Sequence, residues 1–132
     1  MKIFVDTSAL LAVLDADDKN HGAARNAWQG MILGEEKLLC TNYVLVETFA
    51  LVQHRLGMEA VRTLQEDILP MIGVEWVDSQ SHYSSVMALL IAGRRRLSLV
   101  DCASFETMRR LGLSTVFAFD QDFKEQGFEV IP

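Results

Sequence analysis

Apolar positions recur along this chain with two alternating periods. Lys2 to Asp6 (KIFVD) is a short apolar run closed by an acid, which predicts a buried strand, and Ser8 to Asp15 continues with Leu10, Leu11 and Leu14 on one side of a helix. Ala24, Ala27, Trp28 and Met31 recur at helical spacing, and Gly34 marks the stop. Lys37 to Thr41 predicts a second strand; Asn42 is placed to cap a helix running to Arg55, with Gly57 as its end. Val61, Leu64 and Ile68 share a helical face before Pro70, and Gly73 to Val77 predicts a third strand. Tyr83, Val86, Met87, Leu90 and Ile91 form the cleanest amphipathic pattern of the chain. A further helix opens at Ser98 and stops near Gly112. Strands at Ser114 to Phe119 and Phe128 to Ile131 bracket a short helix at Asp122 to Gln126.

Strands separated by helices call for right-handed crossovers, and so for an α/β sandwich: a central parallel sheet of about five short strands flanked by helices. Two prolines, no low-complexity tract and no fixed repeat give no sign of a linker, so residues 1–132 are expected to form one domain. In such sheets ligands bind beyond the carboxyl ends of the strands. That rule locates the chemistry.

Composition narrows the field. Half of the 132 residues are hydrophobic, which excludes a disordered chain. The longest apolar run, Val86 to Ala92, falls far short of a membrane span, and Asp6 and Thr7 interrupt the start where a secretory leader would stay apolar. A cytoplasmic protein with no membrane partner is expected. Cys40 and Cys102 lack metal-ligand spacing and are expected to be buried free thiols. With 12 Lys and Arg against 18 Asp and Glu, the net charge of -6 speaks against a nucleic-acid partner at first sight.

Four acids stand in apolar surroundings. Asp6 ends the first strand and Asp120 follows Val116, Phe117 and Phe119 at the end of the fourth, so both face the strand-end crevice. Glu47 lies within Val44 to Val52, a helix apolar on nearly every side, and Asp101 sits among Leu97, Leu99, Val100, Cys102 and Ala103. Each has a structural reading: Ser98 and Asp101 fit a capping box, Asp6 and Asp120 can cap the helices that follow them, Asp122 with Glu125 can do the same, and Glu47 can be tied to one Arg. Read together, the four crowd like charges into one cleft. Such crowding is destabilising unless cations are bound, and hard divalent ions with oxygen ligands, Mg²⁺ or Mn²⁺, answer it.

At these residues the sequence resembles the PIN-domain nucleases, and among them the small VapC-type toxins of toxin–antitoxin pairs. The opening IFVDTSALLAVLD, the VET of Val46-Glu47-Thr48, the LSLVDCASFE around Asp101 and the closing FAFDQDF with Gly127-Phe128 match that family's motifs in order across the whole chain. The resemblance implies a PIN-like α/β/α sandwich and a Mg²⁺-dependent endoribonuclease, with Mn²⁺ able to substitute. Asp6, Glu47, Asp101 and Asp120 would be its metal-binding and catalytic acids, and Asp122 an auxiliary ligand. It further implies tRNA as the first-choice RNA, products with 5′-phosphate and 3′-hydroxyl ends, homodimers and a cognate antitoxin protein. Where many members carry a hydroxyl two positions before the fourth acid, this chain has Ala118; Ser8 remains available to hold a metal-bound water, the opposing reading being a plain residue of the helix start.

Arg94, Arg95 and Arg96 form the only basic run and are candidate RNA-binding residues; the opposing reading is a favourable charge at the end of the preceding helix. Two rival functions are kept open. A haloacid dehalogenase-like phosphatase would need an Asp where Phe4 stands, and a non-catalytic binding module of the same fold would keep the acids for structure alone.

Overall fold

Each strand is separated from the next by at least one helix, and all four strand pairings are parallel, as the alternating periods require. The computed structural model describes residues 1–132. Its strands are β1 (Lys2–Val5), β2 (Lys37–Thr41), β3 (Ile72–Glu75), β4 (Thr115–Phe117) and β5 (Glu129–Ile131), in the sheet order β3-β2-β1-β4-β5. The sheet grows from β1 to one side through β2 and β3, then crosses to the other side for β4 and β5. The reversal falls between β1 and β4, where Phe4 pairs with Val116 and Val5 with Phe117. A crevice therefore opens beyond the carboxyl ends of these two strands.

Seven helices flank the sheet: α1 (Thr7–Leu14), α2 (His21–Leu33), α3 (Asn42–Leu56), α4 (Met58–Thr63), α5 (Ser79–Ala92), α6 (Leu99–Leu111) and α7 (Gln121–Glu125). After α4 the chain widens into one π-turn at Leu64–Ile68 and tightens into a 3₁₀ turn at Leu69–Met71, with Leu64 and Ile68 buried. Phe4, Val5, Leu10, Val116, Phe117 and Phe123 are among the most deeply buried side chains of one continuous core. Cys40 and Cys102 are free and buried within it, and burial pushes the Cys40 thiol up to about 12.

The structure revises several sequence expectations. Thr41, not Asn42, caps α3: its hydroxyl accepts from the Val44 N–H at 3.1 Å because the last strand residue already has the extended backbone an N-cap needs. Asn42 instead accepts from the Val77 N–H at 2.6 Å, beyond β3, which ends at Glu75. β4 ends at Phe117 rather than Phe119. The largest revision is α5. Its inward side is mostly small, with Ser85 buried and Ala88 and Leu89 against the core, while Tyr83, Leu90 and Ile91 face outward at 66–82% exposure. Small side chains on that face let α5 approach α6 closely. Trp28, on the helical stripe of α2, packs on the core as its spacing predicts.

An aromatic trio joins α6 to the chain around α7. Phe105 meets Phe123 edge-on with ring centres 5.0 Å apart, and stacks at 6.0 Å on Phe128. Phe123 is fully buried and sits three residues after Asp120, so its packing sets how α7 lies against α6. Phe123→Ala should cost about 3–5 kcal/mol in urea unfolding. A loss below about 1 kcal/mol would show that the trio does not hold these helices together.

Candidate metal centre

The crevice is built by helix starts. Asp6, directly after β1, accepts the Ser8 N–H on Oδ2 at 3.1 Å and so caps α1; its N–H in turn donates to the Phe117 carbonyl at 3.0 Å, joining it to β4. Asp120 caps α7 by accepting the Asp122 N–H on Oδ1 at 2.9 Å. Asp101 forms a capping box on α6: it accepts the Ser98 N–H on Oδ2 at 3.2 Å, and its own N–H donates to the Ser98 hydroxyl at 3.0 Å. In each of the three aspartates, the cap occupies one carboxylate oxygen and the other has no hydrogen-bond partner in the protein. Capping and clustering, which the sequence poses as alternatives, are met by the same side chains.

The structure brings Asp101, Asp120 and Asp122 together, each offering an oxygen within 4.8 Å of the others. Asp122, expected in a supporting place, thus belongs to the tightest set. Asp6 and Glu47 lie outside it but within electrostatic reach. Asp6 is pushed up to about 7, foremost by burial and further by the charges of Asp101 and Asp120, against hydrogen bonds from Ser8. Asp101 is pushed up to about 6, again foremost by burial, with Asp120 and Glu47 adding to it. Glu47 is half-buried on α3 and has no ion-pair partner, so the single-Arg reading does not hold for it.

Hydroxyl groups position these acids. Ser8 donates to Asp6 Oδ2 at 2.6 Å and accepts the Phe119 N–H at 2.9 Å, so it ties the end of β1 to the segment after β4. Its one proton is spent on Asp6, so Ser8 orients that carboxylate rather than a water. Ala118 is buried and offers no side-chain donor. The threonines that follow Asp6 and Glu47 were not singled out from sequence, yet they join the two motifs: Thr48 donates to the Val44 carbonyl at 2.6 Å, and its hydroxyl lies 3.2 Å from that of Thr7. Both threonines are buried, and their position after an acid in DTS and VET was the available signal.

The basic run divides. Arg94 bonds to Asp122 at 3.4 Å and to Glu125 at 3.2 Å, so its charge is committed to α7. Arg95 and Arg96 are exposed in the turn before α6 and make no ion pair. Arg109 bonds Gln126 and lies over the Phe128 ring, and Arg110 pairs with Glu75. Lys19 and Lys124 line a cavity that also contains Asp120.

A model of the PIN domain family matches residues 3–129. The 23S rRNA-specific endonuclease VapC20 of Mycobacterium tuberculosis is 35% identical over 132 residues, covering 98% of both chains. The crystal structure of that protein, described as a sarcin-ricin loop cleaving toxin, superposes with a TM-score of 0.85 at 34% identity, covering 98% of this chain and 99% of the other. VapBC2 of Rickettsia felis shares the fold at a TM-score of 0.71 and 11% identity, over 98% and 97% of the two chains.

A stability prediction follows from the raised carboxyls. Both have an ordinary value of 3.8, so between that and about 7 for Asp6 (about 6 for Asp101) the folded state holds more protons than the unfolded one. Stability must then fall as pH rises through this window. In EDTA the melting temperature of wild type should drop relative to Asp6→Asn as pH is raised to about 7, because the amide keeps the capping oxygen and loses the buried charge. Mg²⁺ should restore it above that pH, and Asp101→Asn should shrink the Mg²⁺ response. A wild type that gains stability over Asp6→Asn on going up in pH, or ignores Mg²⁺, would contradict the electrostatic account.

Proposed function

The chain belongs to the PIN-domain family, and on that premise we propose that it is a divalent-metal-dependent endoribonuclease of the VapC toxin type. The observation that carries this reading is the oxygen-only set of Asp101, Asp120 and Asp122 beside buried Asp6, at the point where the sheet reverses direction. The donors are hard and anionic, with no His or Cys among them, which suits Mg²⁺, with Mn²⁺ as substitute, and not a structural zinc. Asp101 and Asp120 would hold the ion through their uncapped oxygens. Asp6 and Glu47 complete the negative wall, and Asp122 is steadied by Arg94.

When bound, such an ion supplies Lewis acidity that lowers the pKa of an attacking water and offsets charge on the phosphoryl oxygens. The chain's own residues do the rest. Helix caps fix the direction of three carboxylates before substrate arrives, which is the preorganisation catalysis requires. Ser8 keeps Asp6 from rotating away. The raised carboxyls of Asp6 and Asp101 make ion binding proton-coupled: the site must shed protons to bind its ion near neutral pH.

For the substrate we favour a ribosomal RNA loop over tRNA. The full-length relative at 35% identity is named for 23S rRNA, and its structure for the sarcin-ricin loop. A cytoplasmic location accords with that substrate; a cognate antitoxin and a homodimer are carried by the family resemblance. No helix is long and apolar enough to cross a membrane.

Purified protein, freed of any bound partner, should cut a sarcin-ricin-loop hairpin in Mg²⁺ or Mn²⁺, leave a tRNA largely intact, and be silent in EDTA. Asp101→Asn and Asp120→Asn should each lower the rate by about 100-fold or more. Equal cutting by wild type and both variants, or cutting unchanged by EDTA, would refute the proposed site. Preferential cutting of tRNA would refute the ribosomal substrate alone.

A further inference from the structure

Beside the metal centre lies a cavity of about 320 Å³ that the acids do not explain. It shares Asp120 with the cluster and is otherwise lined by Lys19, Asn20, Gln121 and Lys124 over an apolar floor that includes Phe119. Two segments far apart in sequence meet here: the α1–α2 connection and α7. Its size is at the small end of ligand pockets, roughly 300–1,000 Å³, large enough for a fragment of nucleotide size.

The polar groups around it are unspent. Lys19 and Lys124 are exposed, and neither comes within 4.0 Å of a carboxylate, whereas Arg94 on the other side of α7 is taken up by Asp122 and Glu125. Asn20 stands at the N-cap of α2, where its side chain would ordinarily bond the helix, and it makes no such bond. Two of the three aspartates of the same connection are engaged in local turns, Asp15 accepting from the Asp17 N–H and Asp18 from the Asn20 N–H, while Asp17 is exposed and, like the others, makes no ion pair with Lys19. Two free cations and an unused amide therefore converge next to a site whose own carboxylates repel phosphate.

We propose that this cavity is a backbone subsite for RNA, in which Lys19 and Lys124 hold the phosphate neighbouring the scissile one. Asn20 and Gln121 supply neutral donors to the same group, and half-buried Phe119 offers an apolar surface to the adjoining sugar or base. The inference rests on the ribonuclease reading and deepens it. In a chain with net charge -6, a bound ion can serve only the phosphate it touches, so the next phosphate needs cations of its own. Lys19 and Lys124 are substrate-binding residues: they hold the neighbouring phosphate equally before and during cleavage and take no part in bond breaking.

The test uses Lys19→Gln/Lys124→Gln and the charge-keeping Lys19→Arg/Lys124→Arg. Binding of a fluorescein-labelled RNA hairpin is read by anisotropy across a KCl series with Mg²⁺ present, in an Asp101→Asn background so that RNA is not consumed. The Gln pair should weaken binding on the order of tenfold and make the log-affinity against log-salt slope shallower by about 0.7, the increment for one neutralised phosphate on a single strand. The Arg pair should restore both. With Asp101 intact, the Gln pair should raise KM and hold kcat at saturating RNA within about twofold, with an unchanged melting temperature and Mg²⁺ response. Unchanged affinity and slope would overturn the subsite, as would weaker binding at an unchanged slope, because the lost contact would then not be ionic. Absence of cutting by the wild type would strike the ribonuclease reading instead, and the anisotropy series would still decide the subsite.

Discussion

Three helices begin at the same crevice, each with an acid in its cap or first turn, and the charges of Asp101 and Asp120 act on Asp6 as that of Asp120 acts on Asp101. Asp6, Asp101 and Asp120 each give one oxygen to backbone N–H groups and keep the other bare. Capping fixes the carboxylates against rotation, and the fold fixes the helices, so like charges are held at short range without freedom to separate. Burial foremost, and the neighbouring charges after it, raise the Asp6 and Asp101 carboxyls. On the proposed reading, a bound cation would turn this liability into a site.

The remaining architecture keeps those three helix starts in register. Strand order places the ends of β1 and β4 side by side, and the Asp6 N–H extends the β1–β4 ladder to the edge of the crevice. Ser8 spans from Asp6 to Phe119 across the same edge. Phe105, Phe123 and Phe128 lock α6 to α7, and thereby Asp101 to Asp120 and Asp122. Thr7 and Thr48 bring α3 against α1 and set Glu47 beside the cluster. Core packing and site geometry are in this sense one arrangement.

Much of this was legible from periodicity. The short apolar run ending in an acid gave the end of β1 at Asp6, the run before Asp120 gave β4 but carried it two residues too far, and the Ser98–Asp101 spacing gave the α6 cap. The two readings of each acid looked exclusive because spacing alone does not reveal that a carboxylate has a second oxygen to spare. The outward apolar side of α5 was missed for a different reason. A hydrophobic stripe marks a face that avoids water, but Ser85 and Ala88 won the inner position because they permit close approach to α6. Lys19 could not be paired with Lys124 because nothing local relates the α1–α2 connection to α7. The run at Arg94 drew attention by its density, yet its first member is held by Asp122 and Glu125.

Under the proposed function the acidic balance of the chain is local chemistry rather than a bar to RNA, since the clustered acids would hold a cation and each divalent ion would cancel two of their charges. Anomalous diffraction from a Mn²⁺-soaked crystal tests that claim most directly. The account predicts a peak bounded by the uncapped oxygens of Asp101 and Asp120, within reach of Asp6 and Asp122. A crystal with no peak in the crevice at saturating Mn²⁺, or with its ion held elsewhere on the chain, would contradict it.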